Sequence, residues 1–548
     1  MKRKTLTTAV LAGLTGVAGM VGVSNAVNLN PDGLGQVLLY PYYTARGGND
    51  TLISVVNTTE NAKSVKIRFL EGRNSREVLD FNIYLSAFDV WTGAVTETAD
   101  GSNAELVIAD RTCTVPYFVG SAPDGVARVP FSNVEFIDFQ GLSPDKVDGA
   151  GEELERTKSG YFEILEMGTL VDLTNDSATA ATHVDGEPAD CDQLVTAWTR
   201  PQAGGTPAPE NYWVIDNLVD HDVPSGGLFG SASIINVGEG TLLSYNAEAM
   251  DNWTDAINHT DPGAVTPRII SGTNNVSAVF ISGAQQVDVR PWLNNRDAVN
   301  AVLMNNQILN EYVVSPNTDG LTEWVLTHPT KRFSVDPLII GAGATVAVPP
   351  FSVVFNSEAA RPGTSCEPIT FRLWDREEIE LADDPIGVIP PRPSPLPPTP
   401  PEEPDTFDLC YEANVVRFLR VDVSGTDPVL PGDNDAVTEL APTNTEILGE
   451  NRFTTLFMPS NFISGWSQFN FDPENINPLL GFPATARRIS SLDGVDYVGL
   501  PVIGFQASTV ANNTLVVDGQ QVLSNYGGTF KHRGSRRIEA TPTAPPQP

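Results

Sequence analysis

The chain has 548 residues, which is enough for two to four domains with a sizeable core. It carries 68 acidic and 33 basic side chains, so its formal net charge is −35 at pH 7. Such an acidic surface repels phosphate groups. This charge argues against nucleic acid and anionic lipid as partners, and it favours solubility and contact with divalent cations.

The first 26 residues predict a secretory signal peptide. Met1–Lys4 is basic, Leu6–Val23 is apolar, and Ser24–Ala26 has the small-x-small pattern of a cleavage site. Cleavage would remove three cations and no carboxylate, so the mature chain would carry 30 − 68 = −38. The alternative is an uncleaved membrane anchor, which the glycines of this segment and the early Pro31 disfavour. No later run is apolar enough to predict a transmembrane helix.

The four cysteines, Cys113, Cys191, Cys366 and Cys410, remain in the mature chain. An even number in an exported protein predicts two disulfides, and four cysteines allow three pairings. We favour Cys113–Cys191 and Cys366–Cys410, because each pair closes a local loop. A metal site made of all four thiolates is the alternative, but the sequence has no CxxC spacing and no histidine close by.

The stretch from Leu34 to Val95 has the densest strand pattern. Within it, Val65, Ile67 and Phe69 alternate with basic residues, which is the two-residue period of a half-buried strand. Short apolar runs closed by turn residues continue along the chain. They lie at 104–108, 114–119, 160–167, 228–237, 241–245, 276–281, 286–289, 324–327, 339–354, 369–374, 415–423, 453–458, 499–505 and 514–517.

This pattern predicts a mainly β protein with two or more Ig-like or jelly-roll-type β-sandwich lobes and one or two short helices. A parallel βαβ sheet is disfavoured, because the segments between the first strands have no room for amphipathic helices. One helix is predicted from Asp297 to Val313, with Asp297 as its N-cap.

Composition also divides the chain. Residues 201–210 are rich in Pro and Gly and predict a hinge between lobes, or else a long surface loop within one lobe. The nine prolines of 388–405 predict polyproline II structure, which we assign to a loop tied at its base by a disulfide. The predicted units are an N-terminal lobe at 27–200, a second lobe at 211–387, strands at 406–538 that complete it, and a disordered tail at 539–548.

No motif in the sequence predicts catalysis, because the one SxxK match, Ser143–Lys146, lies in an acidic loop and lacks its companion motifs. The sequence lacks the nucleophile elbow, the HExxH zinc motif, the Walker loop and the dinucleotide fingerprint. The five histidines are far apart in sequence, although two of them could meet in space. In the opening stretch, the charged residues Arg68, Arg73, Arg76 and Glu77 lie mostly at outward positions. This placement predicts ion pairs that support the fold rather than a functional site.

Two acidic loops are candidate calcium sites, because calcium prefers closely spaced oxygen ligands. Their candidate ligands are Asp145, Asp148 and Glu152 in one loop and Asp433 and Asp435 in the other. No EF-hand or RTX repeat accompanies them, and solvated loop charge is the favoured alternative.

One basic cluster near the C-terminus runs against the overall charge. It contains Lys531, His532, Arg533, Arg536 and Arg537. A basic tail on an acidic body predicts docking to a neighbouring copy or to an anionic cell-surface polymer. A solvated strand end is an equally good interpretation.

The opening stretch resembles a family of uncharacterised, exported, surface-associated β-rich proteins of Gram-negative bacteria. The matching residues are Gly35–Thr44, Leu52–Thr58, Phe69–Trp91, Leu373–Glu378 and Asn525–Gly528. The resemblance implies a secreted or surface location, and it implies no activity or catalytic residues.

Two hypotheses for function follow. The first is a secreted or cell-surface structural or adhesive protein without enzymatic activity or a required cofactor, which in one version self-assembles; a periplasmic location is the alternative. The second is a secreted hydrolase or binding module that acts on polysaccharide or lipid. In the second hypothesis, some of the eight Trp and twelve Tyr form a stacking platform.

Overall fold

The computed structural model describes residues 25–540, with gaps at 121, 123, 139–140, 142–145, 204, 282–285, 356–362, 382–405, 421–443, 473–485, 512–515, 518 and 522–524. Three predicted features therefore lie wholly or mostly outside the described residues. They are the signal peptide, the proline-rich loop at 388–405 and the C-terminal tail.

The first half of the chain forms sixteen strands, three short α-helices and a 3₁₀ turn at Leu154–Lys158 among the described residues. The strands are β1 Asn28–Leu29, β2 Val37–Thr44, β3 Asn49–Asn57, β4 Ala62–Glu71, β5 Glu77–Leu85, β6 Val90–Glu97, β7 Ala104–Ile108, β8 Cys113–Val115, β9 Ala127–Pro130, β10 Ser159–Leu170, β11 His183–Val184, β12 Glu187–Pro188, β13 His221–Asp222, β14 Leu228–Asn236, β15 Thr241–Asn246 and β16 Glu248–Asp251. The helices are α1 Ser177–Ala181, α2 Cys191–Ala197 and α3 Tyr212–Ile215.

The second half is built in the same way. Its strands are β17 Val276–Ile281, β18 Gln286–Pro291, β19 Met304–Asn305, β20 Gln307–Val313, β21 Leu321–Thr327, β22 Glu367–Asp375, β23 Thr406–Leu409, β24 Ala413–Arg420, β25 Phe453–Met458, β26 Ser464–Asn470, β27 Arg488–Ser490, β28 Val495–Val498, β29 Leu500–Pro501, β30 Ile503–Ala511, β31 Val516–Val517, β32 Gln520–Gln521, β33 Asn525–Lys531, β34 Arg533–Ser535 and β35 Arg537–Ala540. The helices are α4 Asn295–Leu303, α5 Arg332–Val335 and α6 Pro337–Ile340.

Four large sheets form two sandwiches, which confirms the predicted mainly β fold. Sheet A has the order β1-β16-β2-β10-β4-β5-β8, with β13 paired to β10, and it packs on sheet B, β15-β14-β3-β6-β7-β9. Sheet C, β23-β22-β26-β20-β34, packs on sheet D, β25-β24-β21-β30-β33. Strands from both sides of the proline-rich segment pair within sheets C and D.

The structure differs from the predicted lobe boundary at 201–210. Strands β14, β15 and β16 lie beyond that segment, yet β14 pairs with β3, β15 pairs with β14 and β16 pairs with β2, so the three strands complete the first sandwich. Its Pro- and Gly-rich residues therefore form a surface loop within one lobe, which was the alternative interpretation.

One buried cluster joins the first sandwich to sheet D, while a second cluster fills the space between sheets C and D. Val325, Val415 and Phe505 of sheet D belong to the same buried cluster as the interior of the first sandwich. The Tyr42 hydroxyl also donates a hydrogen bond to Glu450 at 2.9 Å, across the junction. Buried apolar contacts and this hydrogen bond therefore join the two lobes.

The predicted helix at 297–313 is shorter than expected. Helix α4 ends at Leu303, and the chain then enters β19 and β20. Its N-cap is Asn294, whose side chain accepts a hydrogen bond from the Asp297 amide, so the assignment of Asp297 as N-cap is wrong. The segment around 339–354, predicted as a strand, begins in helix α6 and has no strand.

Both disulfides are present in the favoured pairing, Cys113–Cys191 and Cys366–Cys410. The first joins the edge strand β8 to helix α2. It therefore fastens the helical cap, α1 to α3, against sheet A over a separate apolar cluster that contains Tyr84, Trp198 and Trp213.

Candidate functional site

The outer face of sheet C carries the candidate site, and strand alternation determines which residues it presents. In β22, Ile369, Phe371 and Leu373 enter the core, so Arg372 and Trp374 face outward. In β26, Phe469 enters the core, so Trp466 and Gln468 face outward. Both tryptophans thus occupy the polar phase of their strands, where a large aromatic ring gains little from core packing.

The two tryptophans form a stacked pair across neighbouring strands. Trp374 lies directly opposite Trp466, and their ring centroids are 4.0 Å apart with an angle of 11° between the planes. The Arg372 guanidinium lies over Trp374, 4.7 Å from the ring centroid. Trp466 leaves 37% of its surface exposed. Both rings therefore lie on the outer face of the sheet, and Trp466 is the more exposed of the two.

Polar groups with fixed orientations surround the rings. Arg372 forms a two-pronged ion pair with Glu380, at 2.6 and 2.9 Å. The Gln468 amide donates to Gln307 and Asn470, both at 2.7 Å, which holds its orientation. The pairing continues across β20 to β34, where Glu311 lies opposite Trp466 and Arg533 lies opposite Leu309.

We call this surface the tryptophan platform and define it by Arg372, Trp374, Trp466, Gln468, Leu309, Glu311 and Arg533. It crosses four strands, which corresponds to a width of about 14 Å. Its two arginines and two nearby carboxylates balance in charge. Chemically it combines an aromatic ring that can receive C–H groups with amide, carboxylate and guanidinium groups that can bind hydroxyls.

The sequence contained a signal for this site. In Gly465–Phe471 the small and apolar residues alternate with Trp466, Gln468 and Asn470, so a tryptophan shares its phase with two amides. Likewise, Trp374 lies two residues from the polar Arg372 and therefore on the same face of its strand. What the local pattern could not show is that the two tryptophans, 92 positions apart in sequence, become direct cross-strand neighbours.

The predicted basic cluster is divided by the fold. Arg536 is half-buried and donates to the carbonyls of Ala301, Val302 and Met304, which caps the C-terminal end of α4. Lys531 pairs with Glu248 at 2.6 Å, and Arg537 pairs with Asp472 and Glu539.

A polar cleft of about 210 Å³ lies beside Lys531, His532 and Arg536. Arg533 lies apart from it, on the tryptophan platform. The four predicted cations therefore do not form one continuous patch.

The candidate calcium ligands do not gather into one site among the described residues. The Asp148 carboxylate accepts hydrogen bonds from Arg156, at 2.6 and 2.8 Å, and from Asn74 at 2.8 Å, so arginine neutralises it. Glu152 is exposed at the surface. Asp145, Asp433 and Asp435 lie outside the described residues. Within the part of the chain that the structure describes, no three acidic, histidine or cysteine side chains gather in a way that could hold a metal ion.

Of the four residues predicted to form outward ion pairs, Arg73 and Glu77 are half-buried, and Arg73 donates to the Ala150 carbonyl, whereas Arg68 and Arg76 are paired and buried. Arg68 contacts both Glu77 and Glu163, and Arg76 contacts Asp148 and Asp336 at 3.5 and 3.2 Å. Arg68 and Arg76 are each only 3% exposed. These residues therefore belong to the interior scaffold, as ion pairs, rather than to the surface.

Two of the five histidines do meet, beneath the helical cap. The rings of His221 and His259 are 3.9 Å apart. His259 Nδ1 donates to the Asn217 carbonyl and its Nε2 accepts from the Tyr84 hydroxyl, so the neutral ring is satisfied. Burial lowers the pKa of His221 to about 4 and lowers that of His259 well below its usual value.

This histidine pair predicts acid sensitivity of the cap. The unfolded chain takes up a proton at each histidine near pH 6.5, whereas the folded His221 stays neutral down to about pH 4. The contribution of His221 to the free energy of unfolding is therefore unchanged above pH 6.5 and falls by about 3 kcal/mol as the pH drops toward 4. Chemical denaturation of the parent and of His221→Phe at several pH values isolates this contribution, because the variant should lose less stability than the parent over that range. An equal loss in that variant would contradict the assignment.

No helix among residues 25–540, outside the gaps given above, is both long and apolar enough to cross a membrane. Comparison of the chain with protein-family models, with curated proteins and with solved structures finds no match.

Proposed function

We propose that this chain is an exported, non-enzymatic adhesive protein of the cell surface that binds polysaccharide through the tryptophan platform. The observation that carries the proposal is the solvent-facing Trp374–Trp466 stack on the outer face of sheet C. A sugar ring presents C–H groups on its flat faces and hydroxyls at its edge. An aromatic ring bordered by oriented amides and charged groups is complementary to both.

Other features support the location and the polymer. Two disulfides suit an oxidising compartment outside the cytoplasm. The platform residues lie on the outer face of a sheet and cross several strands, which suits a long chain that continues beyond the contact. Its balanced charge favours a neutral or weakly charged polysaccharide over a strongly anionic one, because the body of the protein is acidic.

The test is a polysaccharide-binding measurement with two matched variants. The mature chain is screened on a glycan array, and binding to each soluble polysaccharide that scores is measured by calorimetry. Trp466→Ala should weaken binding about 30-fold, which corresponds to the loss of about 2 kcal/mol for a central aromatic contact. Tyr526→Ala removes an aromatic side chain that is 63% exposed but lies on sheet D, and it should bind like the parent.

Three outcomes would overturn the proposal. One is an array without any bound glycan. Another is binding that Trp466→Ala leaves unchanged while its melting temperature also stays unchanged. The third is shortening of the polysaccharide during incubation, which would replace the adhesive role with the hydrolase alternative.

A further inference from the structure

The polar cleft beside Arg536 lies where the two lobes meet. Glu248 of sheet A, Lys531 of sheet D and Gly534 of sheet C line it together with Arg536. Its volume is about 210 Å³, which is the space that roughly seven waters occupy in the liquid. Clefts of mixed polarity between domains are common ligand sites. We call this one the junction cleft.

Arg536 brings a cation to the junction cleft without an ion-pair partner among the described residues. Its Nη1 and Nη2 donate to three carbonyls at the C-terminal end of α4, and its Nε has no acceptor within that part of the chain. The end of a helix supplies a charge of only about −0.5, so part of the positive charge stays uncompensated. Burial accordingly lowers the pKa of Arg536 to about 10.

An uncompensated cation is unexpected in this protein. The chain has 68 acidic and 33 basic side chains, so carboxylates greatly outnumber the cations that they could neutralise. Glu248 lies close enough to act on Arg536, but it forms its ion pair with Lys531, at 2.6 Å. A half-buried cation that lines a cleft under these conditions points to an anionic ligand as the source of the missing charge.

Lys531 and His532 complete the polar side of the cleft. Lys531 is 70% exposed and uses one of its three N–H groups for Glu248, which leaves the others for a ligand. His532 Nε2 donates to the Val325 carbonyl at 3.0 Å, and its Nδ1 accepts from Asn310 at 3.1 Å. The ring is therefore neutral and held in place. The lining thus offers two cations and a single carboxylate.

The rest of the wall determines the kind of anion. Its aliphatic side chains are Leu29, Leu303, Ile308, Val502 and Ile503. Such a wall favours a hydrocarbon body over a phosphate or sulfate ion, whose oxygens would lose hydration there. We infer that the junction cleft binds a small organic carboxylate, with its charged end toward Arg536 and Lys531 and its hydrocarbon part against this wall. The cleft shares no residue with the tryptophan platform, so it does not depend on polysaccharide binding.

Methyl NMR of the mature chain with labelled isoleucines measures the binding, because Ile308 and Ile503 line the cleft. Benzoate and hexanoate are the probes, and benzamide and hexanamide are the matched controls of the same size without charge. Each carboxylate should shift both methyl signals with a dissociation constant of about 1 mM, and its amide should bind at least about tenfold more weakly. The signal of Ile53, in the core of the first sandwich, should not move.

Two variants remove the cations one at a time. Arg536→Gln should weaken carboxylate binding about tenfold, and Lys531→Gln about threefold, because the exposed lysine is better solvated. Lys146→Gln is the matched control, since Lys146 forms a partly exposed ion pair with Glu135 in the other lobe, and it should bind like the parent. Arg536→Gln also removes the cap of α4, so Lys531→Gln decides the matter if the first variant melts early.

The inference would be overturned if neither carboxylate moved the two isoleucine signals. It would also be overturned if each amide bound as tightly as its acid, which would indicate a purely apolar cavity. Equal shifts with inorganic phosphate would mean an adventitious ion only. Unchanged affinity in both cation variants, at unchanged melting temperatures, would place the carboxylate elsewhere on the protein.

Discussion

Replacing Arg156 with leucine is expected to lower the free energy of unfolding by about 3–5 kcal/mol. The Arg156 side chain is fully buried and bridges two buried carboxylates. Its Nε and Nη2 donate to Glu71 at 2.8 and 2.9 Å, and its guanidinium also reaches both oxygens of Asp148. Burial alone would raise the pKa of Glu71, yet Arg156 holds it below its usual value. Without the arginine, two charges would remain buried with less compensation.

Loss of Arg156 should also disturb the backbone that Glu71 holds in place. Glu71 accepts hydrogen bonds from the amides of Arg73, Asn74 and Arg76, so it organises the turn between β4 and β5. Denaturant titration at pH 7 measures the effect. Arg128→Leu is the control, because Arg128 forms an ion pair with Glu105 while its side chain is 61% exposed, and its loss should cost less than about 1 kcal/mol. Equal losses in the two variants would contradict the role assigned to Arg156.

Removing the Cys113–Cys191 disulfide is the change with the second large expected effect. The bond links residues 78 positions apart. Opening a loop of that length increases the entropy of the unfolded chain and should cost about 4 kcal/mol. Because the bond fastens the helical cap to β8, the double variant Cys113→Ala/Cys191→Ala should lose order in the cap before the sandwich unfolds.

Hydrogen exchange measures whether the cap loses its order before the sandwich unfolds. The amides of α1, α2 and β13 should lose more protection in the double variant than those of β3 and β14, whose protection should fall only by the loss of global stability. The double variant Cys366→Ala/Cys410→Ala serves as the comparison, because its bond closes a loop of 44 residues in the other lobe. If both variants lose protection in the cap to the same extent, the local role of Cys113–Cys191 is wrong.

Local patterns in the sequence predicted the strands well but not their surroundings. Val65, Ile67 and Phe69 do line the interior of the first sandwich. Lys66, however, was expected to face solvent, and it is fully buried. Its amino group donates to the carbonyls of Asp261 and Pro262 and pairs with Asp80. A segment almost 200 residues away covers that face of the sheet, and strand alternation carries no information about it.

The helix and the site illustrate the same limit. Apolar spacing continues past Leu303, but Met304 and Asn305 pair with Leu500 and Pro501, so tertiary pairing ends the helix early. The tryptophan platform depends on the register between β22 and β26. Its individual residues could be identified from their polar phase, whereas their contact required the pairing of two distant strands.

The course of β2 has a consequence for how fast the protein folds. This strand lies between β10 and β16, whose sequence positions are more than 100 and 200 residues away, and Pro41 within it accepts a hydrogen bond from Thr327 of sheet D. Contacts at such separations require large loops to close first, which slows folding. The first sandwich also cannot be completed until the chain has been synthesised to about residue 251, where β16 ends. For the exported protein proposed above, slow completion is an advantage, because a chain that crosses a membrane as an extended polypeptide must not fold beforehand.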